Sequence, residues 1–165
     1  RFSAAGVAVL CFGSVCLADD LPPLRSLSVD ARQAGEAVIE SCKTMGTNTV
    51  RDMTYAAFRF RLKGGANLIV FDPMKLCDES FKGNGVCTTD GCEIYVLKEE
   101  LQGFWTTILH QPVTGMRFDP EVDGKPFQLV IDMRGGVSPC NKPRSSTCIF
   151  ELNWMKNGFT WKQLR

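Results

Sequence analysis

Histidine is almost missing from this chain: one residue, His110, in 165. Zinc sites need cysteines paired at C-x2-4-C spacing that are repeated or joined by histidines. Among the six cysteines from Cys42 onward the closest pairs are Cys87-x4-Cys92 and Cys140-x7-Cys148, and no C-x-x-C of the thioredoxin kind is present. A zinc centre and dithiol redox catalysis are therefore disfavoured. A charge excess is missing too. Nineteen basic against eighteen acidic residues leave a net charge of +1, so nothing marks a protein that holds nucleic acid by neutralising phosphates. There is no G-x-S-x-G elbow to anchor a serine hydrolase. Gly64-Gly65, Gly83-Asn84-Gly85 and Gly135-Gly136 lack the spacing and following helix of a phosphate-binding loop. Internal repeats and low-complexity tracts are absent. What is there has the balance of an ordinary folded chain, 44% hydrophobic and 22% charged, of a length that suits one domain.

The amino terminus carries an address. Arg1 is followed by an uncharged run through Ala18, and Asp19-Asp20 and Pro22-Pro23 end it. The run is shorter than the roughly 20 apolar residues a spanning helix needs. A basic start, a short apolar run and small residues before a polar stretch describe a secretory signal, with cleavage expected between Ala18 and Asp19. Retention as a membrane anchor is the alternative. A lipoprotein site is disfavoured because Leu10 and Val15, not small residues, precede Cys11 and Cys16. The division expected is a signal at 1–18, a leader at 19–27 and one domain at 28–165, in the periplasm or outside the cell, with no span after cleavage.

Six of the eight cysteines lie beyond that signal: Cys42, Cys77, Cys87, Cys92, Cys140 and Cys148. An even number in an exported chain reads as three disulfides, which persist only in an oxidising compartment. Six cysteines allow fifteen connectivities, among which sequence alone does not choose. Easy closure of short loops favours Cys87–Cys92 and Cys140–Cys148, leaving Cys42 and Cys77 for each other, a bridge that would tie a helix to the sheet.

Periodicity supplies the elements. Ser28 is placed as an N-cap, Asp30 suits the first turn, and Ala34, Ala37, Val38, Ser41, Cys42 and Met45 recur at three- and four-residue spacing before Gly46. This is the single helix expected. Strands follow at 55–62, 68–71, 93–97, 104–109, 115–118, 127–133, 148–154 and 159–164, with Lys63-Gly64-Gly65-Ala66 as a turn. Asp72-Pro73 opens a long loop, and Asn157-Gly158 reads as a type I′ hairpin turn. The fold class is α+β: one N-terminal helix packed on a mostly antiparallel sheet of seven to eight strands, stapled by disulfides.

No residue set spells out a reaction. His110, at a strand end, acts as a base only if a nucleophile and an orienting acid converge on it. Asp72, Asp78, Glu79, Asp90, Asp119, Glu121, Asp123 and Asp132 fall in or beside expected loops, where aspartate favours turns for local hydrogen-bonding reasons. The cluster 119–124 lacks the alternating ligands of a calcium loop. Trp161, near the carboxy terminus, is the tryptophan best placed to offer an exposed ring. Functional candidates are thus Asp72, Asp90, His110, Asp119 and Trp161; no catalytic residue, metal or cofactor is assigned.

At Gly85-Val86-Cys87-Thr88-Thr89-Asp90-Gly91-Cys92, leading into Glu93-Ile94-Tyr95-Val96-Leu97, the chain resembles a group of uncharacterised exported proteins of alphaproteobacteria with a C-G-x-G-G-C motif before an apolar strand. The group also has a helical cysteine upstream, a later cysteine pair and a terminal L-x-W-x-G-x-x-F strand. The counterparts here are Cys42, Cys77, Cys140, Cys148 and Leu152-Asn153-Trp154-Met155-Lys156-Asn157-Gly158-Phe159. Many members place D-x-N-G-D-G between their first two strands; this chain has Arg61-Leu62-Lys63-Gly64-Gly65-Ala66-Asn67 and no carboxylate there. The resemblance implies export, disulfides and a sheet, and no reaction. The function expected is a non-enzymatic periplasmic or secreted module that binds a protein or envelope component, with a small secreted hydrolase or enzyme inhibitor as the alternative.

Overall fold

Two stretches of the chain, Leu68-Ile69-Val70-Phe71 and Ile94-Tyr95-Val96-Leu97, are apolar at every position, and every one of these residues is buried. Successive strand residues point to opposite faces, so strands of this kind must be covered on both sides. The computed structural model, which describes residues 21–45, 49–78, 87–101, 103–119, 127–156 and 158–165, supplies two covers. Leu68, Val70, Ile94 and Val96 face a core shared with a second sheet. Ile69, Phe71, Tyr95 and Leu97 face a core shared with the helix.

That helix, α1, spans Val29–Thr44. Its buried residues, Ala31, Gly35, Val38 and Cys42, follow spacings of four, three and four. The stripe lies beside the one expected from sequence: Ala37 and Met45 are exposed, and Ala31 and Gly35 take their place. Small residues let the helix sit close, since a Cβ on Gly35 would meet Leu24 Cδ1 at 2.7 Å. Ser28 holds the N-cap position without capping. Its hydroxyl shares a 2.6 Å hydrogen bond with Thr107 of the sheet instead.

The first strand expected at 55–62 begins later. Asp52 accepts from the Thr54 N–H and starts a one-turn helix, α2 (Met53–Ala56), so β1 is Ala57–Arg61. It pairs with β2 (Asn67–Phe71). At the start of the long loop expected after Asp72-Pro73, a 3₁₀ turn runs Pro73–Leu76, capped by the Asp72 carboxylate. The chain resumes in β3 (Cys87–Thr88) and β4 (Gly91–Glu99), and β4 organises the sheet. Tyr95 pairs with Phe71 on one side and with His110 on the other, in β5 (Trp105–Val113); Cys92 pairs likewise with Cys87 and Val113. Gly91, at φ 133, permits the tight β3–β4 turn, where a Cβ would sit 2.4 Å from the Val113 carbonyl oxygen.

After Val113 the chain changes sheets across one residue, Thr114, whose N–H donates to the Asp132 carbonyl at 2.8 Å. β6 (Gly115–Asp119), β7 (Gln128–Arg134), β8 (Thr147–Met155) and β9 (Gly158–Gln163) form a second antiparallel sheet in that order. The single sheet of seven to eight strands is thereby corrected, among the described residues, to sheets of five and four strands. Alternation says which residues share a face but not where a chain leaves one sheet for another. The terminal hairpin also shifts. Gly158 is a strand residue paired with Met155, and Lys156 takes the left-handed conformation at φ 48. Asn157, the other half of the expected turn, lies outside the described residues, as do the apolar start 1–18, Glu79, Gly83, Gly85, Glu121 and Asp123. Trp154 pairs with Phe159, their rings 5.3 Å apart and edge to face.

Three disulfides join Cys42 to Cys77, Cys87 to Cys92 and Cys140 to Cys148. The first ties α1 to the residue just past the 3₁₀ turn, the second spans β3 and β4, and the third pins the loop after β7 to β8. Cys140 and Cys148 are 1% and 0% exposed. Replacing both by serine removes the cross-link and buries two hydroxyls in the inter-sheet core. A loss on the order of 2–5 kcal/mol is expected, read as a fall of several degrees in Tm with the other two bridges intact.

Candidate functional site

Register across β4 and β5 builds the first polar cluster. Tyr95 and His110 are direct cross-strand partners, and their rings stack with centroids 4.3 Å apart and planes 16° from parallel. Glu93, two residues before Tyr95 and so on the same face, reaches the His110 Nε2 at 2.6 Å. Thr107, also on the helix side, donates to Asp30 of α1 at 3.0 Å. Burial raises the Asp30 carboxyl, and hydrogen bonds from Ser28 and Thr107 outweigh that effect and leave it below its ordinary value. Burial pushes the Tyr95 phenol up to about 12, with the Glu93 and Asp30 charges adding to the effect.

His110 is not at a strand end, as expected, but inside β5, which runs on to Val113. Sequence reasoning missed its partner Glu93 because the pair depends on the β4–β5 register, which slips between Val96 and Leu97. The Glu93–His110 pair has the parts of a proton carrier. Among the described residues no hydroxyl or thiol hydrogen-bonds the ring.

The second site lies at the end of the five-stranded sheet where β4 begins. Phe58 on β1, Cys92 and Ile94 on β4, Val113 at the end of β5, and Met116 and Phe118 on β6 line a cleft of about 390 Å³. Phe58 and Phe118 touch across it, with ring centroids 4.9 Å apart. Asp72 and Lys75 supply its charged groups. The Asp72 carboxylate accepts from the Met74 N–H at 3.1 Å. Burial raises its pKa, against the opposing pull of that hydrogen bond and the Lys75 charge. The floor is rigid, since Cys92 is bridged to Cys87 and Val113 leads straight into the sheet-changing corner.

The sequence candidates do not converge. Asp72 lines the cleft, whereas His110 occupies the opposite, helix-facing side of the same sheet. Asp90 lies in the β3–β4 turn, 4.0 Å from the Arg144 guanidinium. Asp119 ends β6, exposed and opposite Gln128. Trp161, 38% exposed on the edge strand β9, packs edge to face on Phe150 at 5.6 Å. The residues missed from sequence are mostly apolar, Phe58, Met116 and Phe118, and nothing in a hydrophobic strand residue says that it borders a cleft. Among the described residues no three of His, Cys, Asp and Glu gather into a group that could hold a metal ion.

The raised Tyr95 phenol ties stability to alkaline pH. Its folded value of about 12 exceeds the ordinary 10.0, so the fold holds that proton more tightly than the unfolded chain does. The resulting stability is complete below pH 10 and is lost as pH climbs through 12. Tyr95→Phe is expected to flatten that decline, measured as urea midpoints across the range. Asp72, also raised, contributes stability below its unfolded value of 3.8 that is lost as pH rises through its folded value. Asp72→Asn keeps an acceptor for Met74 and removes the buried charge. It should melt no lower than wild type at neutral pH, with any advantage shrinking towards pH 3.8.

Set against known proteins, the chain matches no family model, no curated protein and no solved structure.

Proposed function

We propose that this protein is an exported, non-enzymatic binding module that acts in the periplasm or outside the cell, and that it takes an extended, apolar segment of a partner protein carrying a basic residue. The cleft carries this reading. It combines an apolar wall, with Phe58 left 41% exposed, and the half-buried Asp72 carboxylate. A ligand cation beside Asp72 would stabilise the ionised form that burial disfavours. Bordering the cleft, β6 pairs with β7 on one side only among the described residues. An extended segment can add to such an edge, with backbone hydrogen bonds giving affinity and alternate side chains entering the cleft. Export is supported by the three disulfides, which persist in oxidising compartments, and by the resemblance to the exported alphaproteobacterial group. No helix among the described residues is long and apolar enough to cross a membrane.

A small secreted hydrolase is the second reading, favoured by the Glu93–His110 pair alone. The two separate cleanly. A synthetic peptide alternating valine and lysine, titrated into isotopically labelled protein, is expected to shift the amide resonances of β6, Ile94 and Val113. Phe58→Ala should weaken this peptide by about tenfold, and Asp72→Asn should weaken it while abolishing any proton uptake or release on binding. His110→Ala should leave it unchanged. Shifts confined to the neighbourhood of His110, or binding indifferent to Phe58 and Asp72, would overturn the cleft as the contact site.

A further inference from the structure

The three disulfides are not equally accessible. Cys42, Cys77, Cys140 and Cys148 are no more than 2% exposed, so those two bridges lie inside the cores. Cys87 and Cys92 are only half-buried, and Cys92 lines the cleft. A thiolate that breaks a disulfide has to approach one of its sulfurs, so access governs the rate. The buried bridges are reached only when the fold opens around them. Cys87–Cys92 is open to attack in the native state.

Loop length separates them as well. Cys87–Cys92 joins residues five apart, against 35 and eight for the other two. A shorter closed loop constrains the unfolded chain less, so this bridge contributes least to global stability. Its effect is local. β3 is two residues long and pairs only with β4 among the described residues. The bridge lies directly across that pair, because Cys87 and Cys92 are register partners. The turn between them has anchors of its own. The Arg134 guanidinium donates to the Thr89 carbonyl, the Asp90 carboxylate lies 4.0 Å from Arg144, and Gly91 rests on Val113. Cys92 is also paired with Val113 of β5, and neither Cys87 nor Cys92 belongs to either core. Breaking the bridge therefore frees Cys87 and Thr88 and removes one of two constraints on the cleft floor, while both cores stay covered.

We infer that Cys87–Cys92 is a reversible redox lock on the cleft, opened by a dithiol reductant while the other two bridges stay closed. One thiolate of the reductant attacks a sulfur of the bridge and forms a mixed disulfide. The other cysteine leaves as a thiolate and takes up a proton. The second thiol of the reductant, once deprotonated, displaces the remaining protein sulfur, which is protonated in turn. Two electrons and two protons thus pass to Cys87 and Cys92, and the reductant departs as its own disulfide. The inference does not depend on what the cleft binds.

The test treats the folded, exported protein with dithiothreitol, alkylates it and assigns the labelled cysteines by mass spectrometry. Cys87 and Cys92 should be labelled at least about tenfold faster than the other four. Their rate should rise in proportion to dithiothreitol and stay level in dilute urea, whereas urea should speed the opening of the buried bridges. The singly reduced protein is expected to keep its far-ultraviolet circular dichroism and to shift the amide resonances of Ile94, Val113 and Met116. Oxidised glutathione should restore the original spectrum. The Cys87→Ser, Cys92→Ser double variant should carry the shifted resonances without reductant, with its other two bridges intact. Loss of all three bridges together, or of a buried bridge first, overturns the inference. So does a reduced protein whose Ile94, Val113 and Met116 resonances stay in place. No peptide is added, so failure here leaves the peptide reading standing, and a peptide that does not bind leaves the lock standing.

Discussion

Everything in this molecule depends on one sheet being buried on both faces. β2 and β4 contribute alternate residues to two separate cores, Leu68, Val70, Ile94 and Val96 to one and Ile69, Phe71, Tyr95 and Leu97 to the other. Neither core can form without its own cover. The helix α1 covers one face, and its close approach is set by Ala31 and Gly35. The four-stranded sheet covers the other with Leu129, Ile131, Met133, Phe150 and Leu152. At about 1.5–3 kcal/mol for each large apolar side chain fully buried, the central strands contribute more than any surface pair can.

The covalent and backbone devices act at the margins of that arrangement. Cys42–Cys77 fixes the helix to the turn after β2, and Cys140–Cys148 fixes the loop that enters the second sheet. Thr114 lets the chain pass from one sheet directly into the other. Because β5 and β6 are joined by one residue, β6 is held over the end of the first sheet, and the cleft is the gap that remains between them. The polar cluster of Glu93, Tyr95 and His110 lies on the helix side, where Tyr95 is buried in the core shared with α1 and Glu93 and His110 stay partly exposed beyond it.

This layout separates three chemistries. The cleft, with Phe58 and Asp72, sits where β4 begins. Two exposed apolar side chains, Leu101 and Phe104, sit where it ends. The histidine pair lies on the helix side between them.

Sequence alone determined the parts of this protein that depend on local pattern. The helix around Cys42 and most strands follow from residue periodicity, while short-loop closure only favoured the cysteine pairing that the folded chain adopts. Unbroken apolar runs at 68–71 and 94–97 carry the double burial. Tertiary structure decided the rest. The split into two sheets rests on the corner at Thr114, and a single threonine between two alternating strands looks the same whether the chain turns or continues. The hairpin register moved because pairing of Trp154 with Phe159 and Met155 with Gly158 places the turn one residue earlier than Asn157-Gly158 suggests. The His110 partner and the walls around Asp72 depend on which distant residues a strand lies beside. Those relations are set by packing, and a linear pattern of hydrophobicity does not encode them.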